Sequence, residues 1–71
     1  MNHIPVHSST IESIAHSPED QRMEIKFKSG KTYAFGNVSE QDFEAFRLAP
    51  STGKHFHATF KGNPKHALPQ S

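Results

Sequence analysis

Apolar and polar residues alternate most cleanly between Arg22 and Lys28, where Met23, Ile25 and Phe27 are separated by Arg22, Glu24, Lys26 and Lys28. A period of two is that of a half-buried strand. The alternation resumes after Ser29-Gly30 in Lys31-Thr32-Tyr33-Ala34-Phe35, so the two runs predict a hairpin. A two-residue loop would put Tyr33 and Phe35 on the face of Lys26 and Glu24. A three-residue loop, Lys28-Ser29-Gly30 with Gly30 in the left-handed region, pairs Ile25 with Tyr33 and Met23 with Phe35. The second register gathers the apolar side chains on one face, and it is the one predicted.

Ahead of the hairpin, Ser9 to His16 has Ile11 and Ile14 as its apolar anchors, a spacing of three that fits a short strand with a bulge or bend. Ser17-Pro18-Glu19-Asp20-Gln21 is a turn by composition. Residues 1–8, with Ile4-Pro5-Val6, read as an extended arm, because proline holds its predecessor out of the helical region. After the hairpin, Ser39 can cap a helix with Asp42 three residues on, and Val38 and Phe43 occupy the hydrophobic-staple positions. Phe43 and Phe46 then point inward, and Pro50 ends the element. Ser51 can cap a second helix carrying Phe56 and Phe60 on one face, ended by Gly62 and Pro64. The expectation is an α+β domain over residues 9–62. It comprises a small three-stranded antiparallel sheet followed by two short helices packed on one face, with 63–71 as a mobile tail.

Composition narrows what this domain can do. Seventy-one residues make one core, and six phenylalanines and one tyrosine must supply much of it. The chain has no cysteine, which removes disulfides and thiolate metal sites and favours a reducing compartment. The polar start, Met1 to Ser9, lacks the apolar run of a secretory leader, and no stretch reaches the roughly 20 apolar residues of a membrane span. A cytoplasmic protein without a membrane partner is expected.

Charge is uneven although the net value is +1. Up to Pro50, seven acidic groups outnumber five basic ones. From Ser51 onward there are three lysines, Lys54, Lys61 and Lys65, and no acids, with His55, His57 and His66 among them. Such asymmetry suits an acidic partner, though it falls short of the basic footprint of a dedicated nucleic-acid binder.

Candidate chemistry is sparse. Ser8, Ser9, His7 and His16 could supply a nucleophile and a base, but they lie on an arm and a strand end without nucleophile-elbow glycines; backbone capping is the expected role of the serines. His55 and His57 are two apart, about 200° around a helix, so they face away from each other and hold no metal together. No catalytic residue, metal, cofactor or small-molecule substrate is expected. Tyr33 and Phe35 could stack bases, yet the hairpin register assigns them to the core.

Ser8-Ser9 followed by Ile11 and Ile14, the hairpin from Met23 to Val38 with Tyr33-Ala34-Phe35 at its centre, and Ala49, Ser51, Gly53 and Phe56 together resemble the KTSC domain. This module is named for its occurrence at the C-terminus of some lysyl-tRNA synthetases and is also found free-standing. The resemblance covers about Val6 to Lys61. The chain departs from it at Ala15-His16-Ser17, where the family tends to carry Gly-Tyr-Asp, at Phe35 in place of tyrosine, and at His57 in place of asparagine. RNA binding has been proposed for the family from its synthetase context. For this chain, size and resemblance point to a non-catalytic module that docks on a protein of the transcription or translation apparatus, for example RNA polymerase, and regulates it. The alternative is an RNA-binding domain that uses the basic C-terminal helix. The expected contact residues in either case are Lys54, His55, His57 and Lys61, with His16 and Lys26 in support.

Overall fold

The computed structural model describes residues 2–68. Six elements follow one another: β1 (Ile4–Pro5), β2 (Ile11–Ser17), β3 (Arg22–Phe27), β4 (Thr32–Phe35), α1 (Glu40–Arg47) and α2 (Thr52–Thr59). The strands form one antiparallel sheet in the order β1-β2-β3-β4, with both helices after it.

The hairpin takes the three-residue loop. Ile25 pairs with Tyr33 and Met23 with Phe35, and Gly30 sits at φ 97°, where a side chain would strain the backbone. The spacing of Ile11 and Ile14 is explained by a bulge. Ile11 pairs with Phe27 and Ser13 with Lys26, leaving Glu12 as the extra residue. The insertion returns Ile11 to the core face beside Ile14, where strict alternation would have turned it outward.

The sheet has four strands rather than three. Ile4 pairs with Ile14 and Pro5 with Ser13, so the expected arm supplies a short outer strand. Proline is tolerated there because an edge residue need not donate outward. On the face away from the helices, the His3 ring meets the Ser13 hydroxyl through Nδ1 at 3.0 Å and the Glu24 carboxylate through Nε2 at 3.0 Å.

Both helices begin as their residues specify. The Ser39 hydroxyl accepts from the Asp42 amide and the Asp42 carboxylate accepts from the Ser39 amide, a complete capping box. Ser51 accepts from the Lys54 amide at 3.3 Å. The core joins Ile11, Ile14, Met23 and Ile25 from the sheet to Val38, Phe43, Phe46 and Phe60, with Val6, Phe27, Phe35 and Phe56 packed against it.

Residues 63–68, expected to trail free of the domain, dock on it as a strap. Gly36 donates its amide to the His66 carbonyl at 3.0 Å, and His66 Nδ1 donates to the Gly36 carbonyl at 3.0 Å. Asn37 Nδ2 donates to the Lys65 carbonyl at 2.8 Å. His66 is only 3% exposed, its ring set edgewise on Phe60 at 4.9 Å. A histidine can be buried here because a backbone carbonyl accepts its N–H, which composition could not disclose. Leu68 lies against Gly36, where an added Cβ would come within 2.8 Å of its methyl carbon. The remainder of the expected tail, 69–71, lies outside the described residues.

Replacing His66 with alanine removes both the buried ring and its hydrogen bond. The expected loss is about 2–3 kcal/mol in urea unfolding, with loss of hydrogen-exchange protection at the Gly36 amide.

Candidate functional site

The second helix divides its side chains by phase. At about 100° per residue, Lys54, His57 and Ala58 share its outward side, and Lys61 follows just beyond its end. All four are exposed. His55 turns the other way and is half-buried, its ring 5.5 Å from Phe46 and 6.0 Å from Phe60. Histidines two residues apart thus have opposite fates. His55 joins the aromatic packing, while His57 sits edgewise on Phe56 at 5.6 Å and stays open to solvent.

His16 and Lys26 do not belong to this surface. The His16 ring is stacked on Phe43 at 4.8 Å, and its Nε2–H donates to the Val38 carbonyl at 2.7 Å. It thereby fastens the end of β2 to the start of α1. Lys26 alternates with the inward Ile25 and Phe27, so it projects from the opposite face of the sheet. There its Nζ lies 3.1 Å from the Glu12 carboxylate, the residue that the bulge turned outward. The basic residues gathered in the sequence therefore occupy two separate faces, and Lys54, His57 and Lys61 form one of them.

The rings are committed to each other. Phe27 meets Tyr33 at 5.7 Å and Phe56 at 5.4 Å, and Phe35 meets Phe56 at 5.8 Å. Tyr33 and Phe35 are half-buried and sit on the face covered by α2.

Beside the basic face lies a feature absent from the sequence reading. Leu48, the C-cap of α1, is 66% exposed. It leads into the turn Ala49-Pro50, and on either side of that turn the surface sinks into two shallow depressions. One is bounded by Lys54, His55 and Ala58. The other is bounded by the arm residues Ile4, Pro5 and His7 together with Arg47 and Thr52. Ile4, the other exposed large aliphatic residue among those described, is 42% exposed. The phase of α1 could have shown this. Leu48 is two residues from the inward Phe46, about 200° around the helix, and so must point away from the core. Ile4 and His7 gave no such signal, since their position depends on the arm joining the sheet.

Electrostatics here are those of an exposed surface. Arg47 Nη2 and Nε bind the two Glu44 carboxylate oxygens at 2.6 and 3.2 Å. That hydrogen bonding holds the Glu44 carboxyl below its ordinary value and raises Arg47. A lowered carboxylate favours the folded state above its ordinary range, and the effect is lost as pH falls through the lowered value. In this solvent-exposed pair it is small. Among the described residues, no group of three or more histidine, aspartate or glutamate side chains is placed to share a metal ion. No helix there is long and apolar enough to cross a membrane.

Comparison with known proteins agrees with this architecture. The sequence profile of the KTSC domain matches residues 7–63. The chain is 35% identical over 66 residues to an uncharacterized protein of Stutzerimonas stutzeri (strain A1501), covering 93% of this chain and 90% of that one. It is 33% identical over 57 residues to a protein of Tsukamurella paurometabola, covering 80% and 85%. The crystal structure of a KTSC domain protein from Yersinia pestis superposes with a TM-score of 0.86 at 35% identity, covering 93% of this chain and 90% of that one.

His16→Ala is expected to lower stability by about 1–3 kcal/mol through loss of the ring stack and the bond to Val38. Thermal unfolding measures this. A Lys26→Ala change on the exposed Glu12 pair is expected to shift stability by no more than about 1 kcal/mol.

Proposed function

The chain belongs to the KTSC domain family, and from that premise we propose that it is a non-catalytic module that docks on a larger protein machine through the α1–α2 elbow. The observation that carries this reading is Leu48. The chain buries Ile11, Ile14, Met23, Ile25, Val38, Phe46 and Phe60 almost completely, yet leaves this leucine 66% exposed. Pro50 and Ala58 are exposed too and line the depression next to the turn together with Lys54. Arg47 lines the one on its other side, and His57 and Lys61 continue the basic side of α2. An apolar centre with a charged rim is the anatomy of a protein interface, with the apolar anchor supplying affinity and the rim supplying orientation and rate. The cations select a partner segment that is acidic around an apolar anchor.

A host in transcription or translation, with RNA polymerase as the first to test, is inferred from the chain's small size and its family. RNA is the second reading. What favours it is that residues 51–71 hold lysines and histidines without a single acid. Against it stand the aromatic rings, which pack on one another and leave single-stranded bases without a stacking platform.

The test is affinity capture from lysate before and after nuclease treatment, with wild type, Leu48→Ser, and the double variant Lys54→Glu/Lys61→Glu. A complex that survives nuclease and weakens about tenfold or more in both variants is expected. The folded state should change little in either, because all three side chains are exposed. Capture that disappears with nuclease, together with affinity for naked RNA that falls linearly with salt on logarithmic axes, would establish the RNA reading instead.

A further inference from the structure

The depression between the arm and the α1–α2 turn has a composition of its own. Its volume is about 270 Å³, a little below the roughly 300–1,000 Å³ of small-molecule sites, which is room for one or two amino-acid residues. Ile4, Pro5 and Pro50 give it aliphatic walls. His7 and Arg47 stand at its border. Arg47 engages Glu44 through Nε and Nη2, so Nη1 remains without a partner among the described residues.

Its lining also contains an unfinished hydrogen bond. Thr52, the first residue of α2, is 5% exposed, and its Oγ1 is closed to water and has no hydrogen-bond partner among the described residues. A buried hydroxyl left in this state costs about 1–3 kcal/mol. Most buried polar groups are satisfied, and one that is not calls for an explanation such as a missing ligand. Ser51 spends its hydroxyl on the Lys54 amide, leaving the first-turn amides of α2 next to Thr52 unbonded among the described residues. The covering arm is held to β2 by two ladder rungs, the Val6 amide on the Glu12 carbonyl at 3.2 Å and the bonds of the His3 ring to Ser13 and Glu24, with no hydrogen bond to α2 among the described residues.

We propose that this depression binds the C-terminal residue of an extended peptide: its carboxylate meets Arg47, His7 and the Thr52 hydroxyl as the arm shifts, and its aliphatic side chain rests on Ile4, Pro5 and Pro50. Charge selects the occupant. Among the described residues no acid lines the depression and Glu44 is already engaged by Arg47, so a carboxylate meets hydrogen-bond donors without an opposing free acid. An amide or a phosphate would fit less well: the amide brings no charge to Arg47, and a phosphate brings no aliphatic group to the walls. The proposal deepens the docking reading, on which the peptide nature of the occupant rests, by giving the partner a free chain end.

The test uses the whole protein and synthetic probes, without the partner. Acetyl-Gly-Ser-Ala-Leu with a free carboxylate, the same peptide as its C-terminal amide, and N-acetyl-leucine are titrated while amide NMR shifts are followed. The free-acid peptide should move the resonances of Val6, His7, Thr52 and Gly53, and bind about tenfold or more tightly than the amide. Thr52→Val is the decisive variant. It removes an unpaired hydroxyl at constant shape, so it should leave the melting temperature unchanged or raised while weakening the free-acid peptide about tenfold. Equal binding by acid and amide, unaltered binding by Thr52→Val, or equal binding by N-acetyl-leucine would each overturn the proposal. If the peptides fail while nuclease-resistant capture still depends on Leu48, the carboxylate site falls and the docking reading stands.

Discussion

At the centre of the domain the Phe60 ring meets Phe46 of α1 at 5.2 Å, Phe35 of β4 at 6.2 Å, His55 of its own helix at 6.0 Å and His66 of the strap at 4.9 Å. It is 1% exposed and closes α2 on the rest of the molecule. In so small a chain there are few other large side chains to fill this junction, and neither helix is long enough to be stable alone in water. The sheet, both helices and the C-terminal strap therefore depend on packing against a shared set of rings. Removing one ring affects every layer that touches it.

This shared core decides what remains for the surface. Phe27, Phe35 and Phe56 are committed to each other, and His16, His55 and His66 to packing and backbone bonds. What is left outside on the helical side is an acidic first turn on α1, a basic outer side on α2, and the aliphatic elbow joining them. That elbow stays exposed because α1 ends in phase with its inward phenylalanines and a proline follows immediately. Leu48 can turn neither into the core nor back along the helix.

The sheet's edges are treated in the same economical way. An open edge invites pairing with another chain. On one side β1 covers β2 with two residues, one of them proline. On the other side the strap meets the end of β4 through the reciprocal Gly36–His66 bonds. Strand addition by a partner is thereby less available than it would be on a bare three-stranded sheet, and recognition moves to side chains on the helices and the elbow.

The hairpin, its loop of three residues, the bulge ahead of it and both helix caps were legible in the chain because each rests on neighbours in sequence: alternation, a glycine at positive φ, a serine three residues before an acceptor or donor. Helix phase separated His55 from His57, but the expectation that both make contact on the surface fails for His55, whose ring is half-buried against Phe46 and Phe60. The fourth strand, the docked strap, the removal of His16 and Lys26 from the basic face, and the depression over Thr52 were not legible. Each depends on segments far apart in the chain, Ile4 with Ile14, Gly36 with His66, the arm with α2. Those meetings are chosen by which arrangement buries the rings and satisfies the backbone, a property of the whole fold that no local pattern encodes.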